Sequence, residues 1–158
     1  MTTSVQRAPM IAVIGGATAD DATCIQAERV GQELARAGAV MVCGGRGGVM
    51  EAACRGASRG GGVTIGILPG GSKEAANAYV QIAITTGLGE ARNAVIAHAA
   101  DALIAVGGRF GTLSEIALGL TLGKRVVSLD SWDLGSRGGD LRFADSPRKA
   151  VELALEAL

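Results

Sequence analysis

The chain has 158 residues, no formal net charge, a high apolar share and few aromatics, which suits one domain burying about 70% of its unfolded surface. The absence of a basic stripe argues against nucleic-acid binding. No apolar run approaches the roughly 20 residues of a membrane span, and Met1–Pro9 lacks a signal-peptide apolar region.

Strand and helix patterns then alternate. Met10 to Gly15 reads as a first strand and Ala22 to Ala37 as a helix closed by Gly38. Ala39 to Cys43 is a second strand, and Val49 to Arg59 a helix closed by Gly60-Gly61-Gly62. Val63 to Leu68 is a third strand, stopped by Pro69-Gly70-Gly71 and followed by a short helix over Ser72 to Ala78. Val80 to Thr85 is a fourth strand, and Gly89 to Ala100 carries a helix. Ala102 to Val106 is a fifth, apolar enough for burial on both faces, with its helix from Leu113. Arg125 to Leu129 is a sixth, Asp130 to Asp145 is loop-rich, and Ser146-Pro147 opens a C-terminal helix. The expected fold is α/β: a three-layer, Rossmann-like, doubly wound parallel sheet of about six or seven strands with helices on both faces. Residues 1–9 form a flexible N-terminus and residues 10–158 a single nucleotide-binding domain. Cys24, Cys43 and Cys54 are odd in number without C-x-x-C spacing, which reads as reduced thiols in a cytoplasmic protein.

Three strands end in glycine clusters: Gly15-Gly16, then Gly44-Gly45-Arg46-Gly47-Gly48, then Gly107-Gly108-Arg109-Phe110-Gly111. In a parallel sheet all three emerge on one edge, where strand C-terminal ends and helix N-termini offer backbone N–H groups to an anion. Glu115 sits one turn into the helix after the third cluster, so a carboxylate stands beside a phosphate cradle. The dinucleotide fingerprint G-x-G-x-x-G is absent from all three turns, and Leu118 occupies the position where a Walker loop needs glycine. No His, Cys or Asp group has metal-ligand spacing, so no metal is expected. Neither is any other cofactor: Lys73, Lys124 and Lys149 sit in no cofactor-binding context.

With these residues in view, Gly107 to Glu115 resembles the P-G-G-Y-G-T-x-x-E motif of the LOG ("lonely guy") family, cytokinin-activating phosphoribohydrolases long labelled lysine decarboxylases. Gly45 to Glu51 is similar to that family's G-G-x-x-G-x-M turn, and Val63 to Pro69 to its V-x-G-x-x-P strand. Ala91-Arg92-Asn93 falls where the family carries E-R-K. Gly107 replaces the motif's Pro, Arg109 its second Gly, Ala91 the Glu and Asn93 the Lys. These departures resemble a short LOG-related subgroup similar to molybdenum-cofactor carrier proteins. The resemblance implies Arg92 and Glu115 as catalytic residues. It implies phosphate or nucleotide binding by Gly15, Gly16, Gly45, Arg46, Gly47, Gly48, Met50, Gly108, Arg109, Phe110, Gly111 and Thr112. The activity expected is hydrolysis of the N-glycosidic bond of a cytokinin-type nucleotide or AMP to free base and ribose 5-phosphate. The alternative is a non-catalytic carrier or sensor for a nucleotide or molybdenum cofactor. A PLP-dependent decarboxylase is not expected.

Each residue also has a structural reading. Thr112-x-x-Glu115 matches a capping box, in which Thr112 caps a helix and Glu115 bonds back to it. Arg92 has either a phosphate partner or a salt bridge to Glu90 or Asp101. Met50 is a buried helix residue or lines a base pocket, and Phe110 either meets a base or packs beneath its turn. His98 reads as a core or interface residue. The helices carrying Val95 and Leu118 are apolar around most of their circumference, which predicts a homodimer or a tetramer of dimers.

Overall fold

Apolar runs broken by glycine fold as strands and helices in turn. The computed structural model describes residues 4–158. The flexible terminus expected over residues 1–9 falls partly outside the described residues, and residues 4–9 form no helix or strand. The strands are β1 (Met10–Ile14), β2 (Val40–Cys43), β3 (Thr64–Leu68), β4 (Ile82–Thr85), β5 (Ala102–Val106), β6 (Val126–Leu129) and β7 (Leu141–Ala144). They form one sheet in the order β4-β3-β2-β1-β5-β6-β7, with every neighbouring pair parallel. Ala12 of β1 stands between Val42 of β2 and Leu103 of β5.

The helices are α1 (Asp21–Arg36), α2 (Val49–Arg59), α3 (Arg92–Ala99), α4 (Phe110–Thr121) and α5 (Pro147–Leu155). Side chains alternate along each strand, so the sheet has two buried faces. Ile11, Val13 and Ile104 point into a core with α1, α2 and α5. Ala12, Leu103 and Ala105 point into a second core with Ile96 of α3 and Ile116 of α4. The three-layer expectation therefore holds. The helices change face between β1 and β5, which opens a crevice at the C-terminal ends of those strands.

Local boundaries follow capping chemistry. The Asp20 carboxylate accepts from the Thr23 N–H at 2.8 Å and starts α1. Ser146 caps α5, with Pro147 at its first position as expected. Lys124 closes α3 from outside: its Nζ donates to the carbonyls of Ala97 and His98 at 2.7 Å each. His98 itself is exposed rather than in the core.

Three sequence expectations are corrected. The helix expected over Ser72 to Ala78 is a single 3-10 turn, Lys73–Ala75. The segment expected to be loop contains β7, an edge strand whose Arg142 and Phe143 are exposed, so it lacks the apolar run that marks inner strands. The helix expected from Leu113 begins at Phe110.

The pairing of α1 and α2 depends on two glycines. A Cβ at Gly31 would overlap the Ala53 carbonyl of α2, and one at Gly56 would overlap the Glu28 carbonyl of α1. Backbone lies against backbone at this crossing, with no flexible side chain to yield. Gly31→Ala or Gly56→Ala is expected to cost about 1–3 kcal/mol in urea denaturation. Gly70→Ala, in open space, is expected to change stability by less than about 0.5 kcal/mol.

Candidate functional site

Gly15 ends β1 where three elements converge. A Cβ there would lie 2.6 Å from Val49 Cβ and 2.7 Å from the Val106 carbonyl oxygen. Only glycine lets the ends of β1 and β5 meet the start of α2 this closely. The Val49 N–H then donates to the Gly16 carbonyl at 3.0 Å. The crevice beyond this junction is a cleft of about 370 Å³.

Nine of the expected site residues line it. Gly15 and Gly16 come from the β1 turn, Arg46 and Met50 from the β2 turn and α2, and Arg109, Gly111 and Thr112 from the β5 turn and α4. Arg92 and Glu115 enter from α3 and α4. Gly45, Gly47, Gly48, Gly108 and Phe110 do not line the cleft. Gly108 sits behind it at φ +96°, where a Cβ would overlap the Thr112 side chain. Phe110 is 75% exposed and does not pack beneath the turn; its ring lies 5.9 Å from that of Trp132. Ala17, Thr18, Glu90 and Asn93 also line the cleft. Sequence reasoning did not assign them to the site, although Glu90 and Asn93 flank Arg92 and Thr18 follows the first glycine pair.

The capping-box reading of Thr112 and Glu115 is corrected. The N-cap of α4 is Arg109, so Thr112 is already the third helical residue. The first turn of α4 therefore leaves the N–H groups of Phe110, Gly111 and Thr112 without intrahelical partners. They provide the positive end of the helix dipole at the cleft wall.

Arg92 is buried, and its guanidinium is held by the protein itself. Nη1 donates to the Gly44 carbonyl at 2.6 Å and also to the Ile67 carbonyl. Nε donates to Asn93 Oδ1 at 3.0 Å. The alternative reading of Arg92, a salt bridge to Glu90 or Asp101, gives way to a clamp across the ends of β2 and β3. The Asp101 carboxylate instead accepts from the Met10 N–H at 2.8 Å. Burial lowers the Arg92 pKa, against the opposing fields of Glu115 and Glu90.

Glu115 is 8% exposed, and among the described residues its carboxyl makes no hydrogen bond. Burial pushes its pKa up to about 8, opposed by Arg92 and reinforced by Glu90. At neutral pH Glu115 holds its proton, and Arg46, Arg92 and Arg109 face the one remaining carboxylate of the cleft, Glu90. Such a cleft favours an anion.

The raised pKa has a thermodynamic consequence. Below pH 4.5 both folded and unfolded chains hold the Glu115 proton. As pH rises toward 8 only the unfolded chain releases it, so stability falls and then levels. Glu115→Gln is therefore expected to be more stable than the parent by roughly 2–4 kcal/mol at pH 8, with no difference near pH 4. Thermal unfolding across that range measures this.

Comparison with known proteins agrees with the fold. The model of the SLOG cluster4 family matches residues 8–151. An uncharacterized protein of Archaeoglobus fulgidus is 50% identical over 147 residues, 93% of this chain and 95% of that protein. The molybdenum cofactor binding protein of Rippkaea orientalis superposes with a TM-score of 0.90 at 39% identity, covering 95% of this chain and 97% of that one. The molybdenum cofactor carrier protein of Chlamydomonas reinhardtii gives 0.87 at 35% identity, covering 96% and 98%.

Proposed function

The chain belongs to the SLOG cluster4 family, and on that premise we propose that it binds a phosphate-bearing small molecule of the molybdenum-cofactor class. The phosphate rests on the first turn of α4, between Arg46 and Arg109. The observation that carries this reading is the cleft's charge: two exposed guanidiniums and a helix N-terminus face an acid, Glu115, that keeps its proton at pH 7. The names of the two solved relatives supply the ligand class. Arg92 supports this reading as a fixed positive charge at the cleft, its Nη1 held by carbonyls of the sheet edge and its Nε by Asn93. With its three cysteines unpaired, the protein acts in the cytoplasm.

Glu115 favours a second reading. A protonated acid in the cleft can donate to the leaving base of a nucleoside 5′-monophosphate while water attacks the anomeric carbon. The C–N bond breaks as the C–O bond to water forms, the base leaves with the Glu115 proton, the water's released proton restores Glu115, and ribose 5-phosphate remains. Two measurements separate the readings. Gel filtration with molybdenum cofactor is expected to show co-elution, weakened about ten-fold in Arg109→Ala without loss of folding. Incubation with AMP is expected to release no adenine. Adenine release that Glu115→Gln abolishes supports the hydrolase instead.

The α3/α4 face carries a further proposal, self-association into a homodimer or tetramer. Ile82 and Ile84 of β4 are 45% and 43% exposed and register with Ile65 and Ile67, which belong to the core of that face. Light scattering is expected to show an oligomer that Ile84→Glu splits; a monomeric parent contradicts this.

A further inference from the structure

The turn between β5 and α4 is tied down from outside the cleft. After β6 the chain takes φ +50° at Asp130, the one non-glycine residue with positive φ among those described. This places Ser131 and Trp132 against the turn. Ser131 Oγ donates to the Gly107 carbonyl, and Trp132 Nε1 donates to the Arg109 carbonyl at 3.1 Å. The Gly107 N–H in turn donates to the Leu129 carbonyl at 3.1 Å. Trp132 is itself held, because Ser128 Oγ donates to its carbonyl at 3.0 Å and its ring meets Phe110.

A peptide unit is planar, and its C=O and N–H point in opposite directions. Fixing the Gly107 and Arg109 carbonyls toward the strap therefore turns the Gly108 and Phe110 N–H groups away from it. Phe110 is the first residue of α4, so its N–H belongs to the free first turn. The Arg109 carbonyl accepts from both the Leu113 N–H and the Trp132 indole, which fills both of its lone pairs. Neither Ser131 nor Trp132 lines the cleft.

We infer that Ser131 and Trp132 are positioning residues, which fix the Gly107–Phe110 turn and thereby the direction of the first-turn N–H groups of α4 toward an anion they do not touch. This rests on the proposed binding reading. It also makes Trp132, the only tryptophan of the chain, a built-in fluorescent reporter of site occupancy.

Two readouts on the full-length protein test it. Inorganic phosphate, AMP and molybdenum cofactor are titrated into the parent by calorimetry, and the tightest binder is carried to Ser131→Ala, Ser131→Thr and Trp132→Phe. Amide NMR of the unliganded proteins follows Gly108 and Phe110. The expected result is binding about five- to ten-fold weaker in Ser131→Ala and Trp132→Phe, recovery in Ser131→Thr, shifted Gly108 and Phe110 amides, and melting temperatures close to the parent's. Parent Trp132 emission is expected to change on binding. If Arg109→Ala weakens binding but the strap variants bind like the parent, the site stands and the positioning role is overturned. If the parent binds none of the three probes, the binding reading fails and the positioning role with it. A Trp132→Phe that will not fold leaves the Ser131 pair to decide.

Discussion

The helices must change face between β1 and β5, and the rest of the site depends on that reversal. At the switch no helix can cover the sheet edge, so a crevice is unavoidable. Its floor is built by close backbone approach: Gly15 admits Val49 and the Val106 carbonyl at distances no side chain permits. Its wall is the start of α4, where the chain leaves β5 through Gly107 and Gly108. The anion-binding character we propose is thus a product of topology first and of side chains second.

Side chains then divide the labour. Arg92 commits Nη1 to the carbonyl ends of β2 and β3 and Nε to Asn93. It fixes the edge and supplies a positive field, while Arg46 and Arg109 remain exposed for a ligand. Glu115 has burial without a hydrogen-bond partner, which keeps it neutral despite the nearby arginine. A neutral acid beside a phosphate cradle removes the repulsion an ionised carboxylate would exert on the ligand. It also leaves a proton available, which is why the same geometry is compatible with both proposed readings, carrier and hydrolase.

The alternation of apolar runs and glycine breaks made the sheet readable from the sequence, because inner parallel strands must be apolar on both faces. The glycine turns located the cleft for the same reason: Gly15 and Gly108 occupy positions where geometry admits nothing larger. What stayed hidden was decided by tertiary packing. Thr112-x-x-Glu115 satisfies the spacing of a capping box, but the actual N-cap of α4 is Arg109, three residues before Thr112. β7 has one buried residue, Leu141, and so no run to detect. Ser131 and Trp132 lie in a stretch without periodicity, and their link to the β5 turn crosses more than twenty residues of sequence. Arg92 lines the cleft, yet its main-chain partners, the Gly44 and Ile67 carbonyls, carry no sequence signal.

The central claim is that the first turn of α4 receives a phosphate. A crystal structure of the protein grown with a phosphate-bearing ligand, molybdenum cofactor or AMP, tests it most directly. The account predicts phosphate oxygens within hydrogen-bonding distance of the first-turn N–H groups of Phe110, Gly111 and Thr112, with Arg109 or Arg46 alongside. A ligand bound elsewhere, or one that enters the cleft with its phosphate turned away from α4, would contradict it.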